Sequence, residues 1–176
     1  VRAQITQVDW PERTRALRGQ KLPANDHDLF LPVLARALAS PIRILRAPFV
    51  DDRALRDALA ALVGLGPGMT PSGDDVIAGM LAAAYRLAAG HCWSADRLDA
   101  LCGAVRDLPT GVTTMTSLQM LRHARNGRFV EPLCRLVRHL GTKGIDLSSD
   151  AVYLSQCGAH SGCDMMAGAL AIFEGL

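Results

Sequence analysis

Ser72-Gly-Asp-Asp-Val-Ile-Ala-Gly-Met-Leu81 and Ser161-Gly-Cys-Asp-Met-Met-Ala-Gly-Ala-Leu170 are the two stretches on which the fold turns. Ser, Gly, Asp, Ala, Gly and Leu recur in them at identical offsets, 89 residues apart. Each entrance leads into a segment that is apolar nearly all the way round, residues 76–89 and 165–173. A helix without a polar face belongs inside a bundle, not on its surface. The pattern therefore predicts an all-α or mainly α fold: a helical bundle around two central, pseudo-symmetric buried helices that descend from one shared end. Glycine costs about 1 kcal/mol against alanine inside a helix, so Gly79 and Gly168 are expected at a close helix crossing.

Amphipathic helices are expected around this pair. Asp51 is a plausible N-cap for residues 52–63, with Leu55, Leu59 and Leu62 on one face before Gly64. Ser94 caps a second helix running to Leu108 with a stripe of Leu98, Leu101 and Val105; a third covers 114–126 and a fourth 131–140. Strand signals are confined to residues 5–8 and 42–45, a minor β element near the N-terminus. Pro11, Pro23, Pro32, Pro41 and Pro48 break residues 1–50 into short pieces, and a helix over 25–39 should bend or stop at Pro32. The chain thus divides into a poorly legible segment, 1–50, and a helical domain, 51–176. It opens on Val1, which is expected to continue a longer chain.

A length of 176 residues suits a single core, and 49% hydrophobic with 20% charged residues is a globular composition. The net charge of +2 gives no support to a nucleic-acid or membrane-surface role. Cys92, Cys102, Cys134, Cys157 and Cys163 are odd in number and include no Cys-x-x-Cys pair, which predicts reduced, buried thiols and a cytoplasmic protein.

Two accounts of the repeated Ser-x-x-Asp compete. Ser72 with Asp75, and Ser161 with Asp164, fit a capping box in which each serine satisfies an amide of its own helix. The alternative is a ligand site. Gly64, Gly66 and Gly68, interleaved with Pro67 and Pro71, form a rigid loop whose backbone can approach a ligand closely. That loop feeds into a helix N-terminus, where free amides and the dipole favour an anion. Thr70 and Ser72 add hydroxyls, while Asp74 and Asp75 oppose a bare anion unless they turn away, hold a cation or bind a substrate amide. The lysine of the nucleotide P-loop is absent. A site at the shared end predicts a pocket lined by Gly68, Thr70, Ser72, Asp75, His160, Ser161 and Asp164.

Three further groups carry candidate chemistry. Thr113-Thr-Met-Thr-Ser117 can cap the helix it opens or donate to an anion. Arg122, Arg125, Arg128, Arg135, Arg138 and Lys143 read as a solvated face, one or two of them available to an anionic substrate or a partner subunit. Cys157, His160, Cys163 and Asp164 lack the second half of a zinc site.

The run from Gly64 to Asp75, then Thr113 to Ser117 with Leu121-Arg-His-Ala124 and Gly127, then His160-Ser-Gly-Cys-Asp164 with Gly168, together resemble the AllH family over roughly residues 55–176. The resemblance implies a subunit of oxamate carbamoyltransferase, an enzyme of anaerobic allantoin breakdown and so of purine catabolism. That enzyme interconverts oxalurate plus phosphate with oxamate plus carbamoyl phosphate, alongside other protein subunits. Gly66, Gly68, Thr70, Ser72, Gly73, Asp74, Thr113, Thr114, Ser161 and Gly162 would then bind the anionic substrate, with Asp75, Asp164 and His160 as catalytic groups. No cofactor is expected, magnesium being the one ion that Asp75 and Asp164 could hold. A magnesium-dependent hydrolase similar to ADP-ribosylglycohydrolases and a non-catalytic assembly subunit are the alternatives.

Overall fold

The computed structural model describes residues 31–109 and 111–174. Among the described residues there are eight helices and no strand: α1 Leu31–Arg46, α2 Asp52–Ala60, α3 Ser72–Ala89, α4 Ala95–Arg106, α5 Met115–Ala124, α6 Glu131–Leu140, α7 Ser148–Ser155 and α8 Ser161–Phe173. The fold is all-α, as the apolar periodicity predicts. None of these helices is long and apolar enough to cross a membrane.

The segments without a polar face form the centre. Every residue of α3 from Ser72 to Ala84 is buried, and α8 buries Met165, Met166, Ala169, Leu170, Ile172 and Phe173. The two helices pack on each other more extensively than any other pair. The crossing is close enough to require glycine. A methyl group on Gly79 would lie 1.9 Å from the Met165 carbonyl oxygen, and one on Gly168 would lie 2.0 Å from the Val76 carbonyl oxygen. These contacts exchange under the 89-residue offset, because Val76 and Gly79 in α3 correspond to Met165 and Gly168 in α8.

The same correspondence extends to the elements before each central helix. Gly73 abuts the Leu62 carbonyl in the turn that follows α2, and Gly162 abuts the Leu154 carbonyl of α7. The Gly73 amide donates to the Leu65 carbonyl (2.9 Å), the Gly162 amide to that of Cys157 (3.0 Å). The 89-residue offset thus relates both glycine pairs, Gly79 with Gly168 by reciprocal contacts and Gly73 with Gly162 by matching ones.

Two expectations need correction, and one helix has no signal in the sequence. Residues 42–45 are not a strand but the last turns of α1, where Leu34, Leu38, Ile42 and Leu45 line one helical face against the core. The helix runs through Pro41, since burying that stripe outweighs the single hydrogen bond a proline removes. The other strand candidate, residues 5–8, lies outside the described residues, as do residues 25–30 of the helix expected over 25–39; residues 31–39 form the first part of α1, with Pro32 in its first turn. Helix α7 carries no legible stripe: its buried residues are Ala151, Leu154 and the charged Asp150. Asp150 is held by Arg135 Nε (2.6 Å) and by His139, both from α6, so a tertiary ion pair stands where an apolar contact would have signalled a helix. Finally, all five cysteines are free but only half-buried.

Candidate functional site

Helices α3 and α8 begin side by side, beneath the glycine-rich loop. The capping account fails at both starts. Pro71 and His160 occupy the N-cap positions, and neither helix has a side-chain cap. Ser72 and Ser161 lie one residue inside, and their hydroxyls reach across to the opposite helix: Ser161 to Asp75, Ser72 to Asp164. Thr70 joins this group, 2.9 Å from the Ser161 hydroxyl and beside Asp75. The motif that reads as two local caps is a crossed pair of serine–aspartate contacts between helices.

Both carboxyls are sealed, with Asp75 0% and Asp164 1% exposed. Burial pushes Asp75 up to about 7; the Ser161 and Thr70 hydroxyls pull it back, and the neighbouring Asp164 and Asp74 charges push it further up. Burial likewise raises Asp164 to about 6, opposed by the Ser72 hydroxyl and the charge of His160. Neither Asp75 oxygen has a well-aligned hydrogen bond, so its charged form loses hydration without full replacement. Near neutral pH the buried Asp75 carboxyl is therefore partly protonated.

Asp74 has a different task. One carboxylate oxygen accepts from the Gly64 amide (3.0 Å) and the other from the Thr113 hydroxyl. Its charge is thereby turned sideways into the base of the loop. Thr114 caps α5 by accepting from the Ser117 amide (3.1 Å) and also donates to the Met69 carbonyl. Gly64 packs so closely on Val112 that a methyl group there would meet its carbonyl oxygen at 2.0 Å. The Thr113-Thr114 turn is therefore the clamp that fixes the glycine loop. Thr114→Ala should lower stability by about 1 kcal/mol, the usual value of a cap. Denaturant unfolding checks this, and an unchanged midpoint would remove Thr114 from the clamp.

Gly66 and Gly68 hold φ of 112° and 98°, conformations that side chains resist. Gly66 lies against Ser72, whereas the Gly68 backbone faces open space. Gly73 and Gly162, by contrast, are occupied in packing, and their amides are used by the preceding turns. Of the predicted site residues, Thr70, Ser72, Asp75, Ser161 and Asp164 converge directly, with His160 close to Asp164. The clefts of the described surface include one of about 770 Å³ between α2 and α4, an apolar one of about 340 Å³ beside Met120 and Phe129, and one of about 270 Å³ between α4 and α5. None of these three is lined by Asp75, His160, Ser161 or Asp164. No three histidine, cysteine, aspartate or glutamate side chains among the described residues gather as metal ligands.

The model of the family described as oxamate carbamoyltransferase subunit AllH matches residues 62–173. The chain belongs to this family. The match begins at the last turn before the glycine loop and ends with α8. It therefore contains the loop, the Thr113-Thr114 clamp and both central helix starts, and excludes α1 and α2. No solved structure matches the chain. Membership makes the chain a subunit type of a multi-protein enzyme, so protein partners are part of its setting.

Proposed function

We propose that the chain acts within an oxamate carbamoyltransferase assembly and contributes the anion-binding and proton-handling groups at the glycine-loop end. The crossed Ser–Asp contacts between the two helix starts carry this proposal. Two helix N-termini bring positive dipole ends together, and they hold two carboxyls whose ionisation is suppressed by burial. A carboxyl that is partly protonated near pH 7 does not repel an incoming phosphate or carboxylate as a full charge would, and it can donate a hydrogen bond to it. Gly66, Gly68 and Thr70 supply the loop that closes on the ligand, and Ser72 and Ser161 position the acids.

Carbamoyl transfer between oxalurate and phosphate breaks a C–N bond and forms a C–O bond, and the departing oxamate nitrogen must gain a proton. Asp75, with Asp164 and His160 beside it, has the ionisation suited to that exchange. Because Thr70 covers Asp75, ligand entry requires the loop to move. Asp74, Thr113 and Thr114 form the fixed hinge side of that loop.

The test uses the chain assembled with its partner subunits. Thr70→Val and Asp75→Asn should each reduce carbamoyl transfer by at least about 100-fold, the scale of lost general acid–base catalysis. A wild-type assembly that binds neither carbamoyl phosphate nor oxamate in calorimetry would end the proposal.

A further inference from the structure

The cleft of about 270 Å³ between α4 and α5 has a composition that the fold alone does not require. Three guanidinium groups surround it, Arg106 from the end of α4 and Arg122 and Arg125 from the end of α5, and its lining contains no carboxylate. Its walls include Leu108, Leu118 and Leu121. Among the described residues no carboxylate pairs with Arg122 or Arg125, while Arg106 lies 3.1 Å from Asp107, which also receives Arg56 at 3.4 Å.

Arginines at helix C-termini have an ordinary explanation, because the macrodipole favours cations there. The magnitudes show that it is insufficient. Two helix C-termini contribute about one negative charge together, and Asp107 contributes one more, already shared with Arg56. Three guanidiniums therefore leave the cleft with a net positive balance. Arg122 and Arg125, three residues apart on one helix, also repel each other across a single turn. Guanidinium groups suit carboxylate and phosphate oxygens in planar, paired hydrogen bonds.

We propose that this cleft is a second anion site, taking a small carboxylate or phosphate compound whose body rests on the leucine walls. It is separate from the crossed Ser–Asp site but connected to it. Thr113 lines the cleft and donates to Asp74, and Asp74 holds the Gly64 amide at the base of the glycine loop. A ligand drawn to the Thr113 hydroxyl competes with Asp74 for it, so occupancy of the cleft loosens the clamp of the loop.

The experiment titrates the isolated full chain with inorganic phosphate and, separately, with oxamate, followed by amide chemical shifts. The expected result is saturable shifts at Thr113, Leu121 and Arg122 with a Kd of about 1 mM or tighter, weakened by added salt. Arg122→Gln/Arg125→Gln should weaken binding at least 10-fold, whereas Thr70→Val, on the glycine loop, should leave it unchanged. The size of the anion dependence separates the two ligand chemistries. Three results would overturn the proposal: no shifts with either anion, shifts confined to residues 66–70, or equal affinity in the double variant. Loss of transfer activity in Thr70→Val with cleft binding intact would bear on the transferase proposal alone.

Discussion

Gly79→Ala and Gly168→Ala are each expected to destabilise the protein by more than about 3 kcal/mol, the upper range for overpacking a core. The new methyl group would lie 1.9 Å from the Met165 carbonyl oxygen in one case and 2.0 Å from the Val76 carbonyl oxygen in the other. Relief requires moving backbone, since no flexible side-chain end is available to yield, and moving it separates the two helices that form the centre. Domain stabilities of about 5–15 kcal/mol leave little room for that. The sign is diagnostic, because the same substitution in an unobstructed helix adds up to about 1 kcal/mol of stability. Gly103→Ala in α4 is the internal control: its methyl group would meet only the Arg106 side chain, at 3.7 Å. The double variant Gly79→Ala/Gly168→Ala should cost less than the two separate losses combined, because one displacement of α8 relieves both overlaps. Guanidinium unfolding of the four variants decides the matter. Equal midpoints for Gly79→Ala and Gly103→Ala would refute the close crossing.

Asp75→Asn should raise stability at pH 8 and leave it unchanged at pH 4, the reverse of what a capping aspartate predicts. The folded carboxyl titrates at about 7 because burial disfavours its charge, whereas in the unfolded chain it titrates at about 3.9. Below the unfolded value both states hold the proton and there is no cost. As pH rises through the window between the two values, only the unfolded chain releases its proton, so stability falls until the folded carboxyl ionises near 7. Asp164, raised to about 6 by the same burial, adds a loss in the same direction over a narrower window. Asparagine removes the Asp75 share, on the order of 2 kcal/mol after relaxation. Thermal unfolding should then show a rise on the order of 5 °C at pH 8 and a shallower dependence on pH. A drop in melting temperature at pH 8 would restore Asp75 to a stabilising, ionised role. Coupled with lost transfer activity, a more stable Asp75→Asn protein would show that the acid is kept at a cost to folding.

Most of the local structure was legible because its causes are local. Asp51, Ser94 and Thr114 cap α2, α4 and α5 by accepting from amides three residues on, as residue type and position suggest. The same local logic misled at Ser72 and Ser161. A serine three residues before an aspartate is compatible both with capping and with a contact to another helix, and chain distance cannot separate the two. At Ile42 to Leu45, a run of β-branched and apolar residues hid a helical stripe that becomes visible only with Leu34 and Leu38 included. The arginines were legible as a basic run, but their cleft was not, since Arg106 belongs to a different helix.

The all-α class, the two apolar central helices, the glycines at their crossing and the loop before the first of them are written in the chain itself. These follow from periodicity, side-chain volume and backbone freedom, which act within a few residues. Packing between distant elements settles that Ser72 faces Asp164 and Ser161 faces Asp75, that Asp74 turns to Gly64 and Thr113, and that α7 is held through the buried Asp150 by Arg135. Each of these is a choice among partners distant in the chain. The crossing at Gly79 and Gly168 makes that choice for the serines and aspartates: it sets how closely the helix starts approach, and with that which carboxyl each hydroxyl can reach and how much water remains to keep that carboxyl charged.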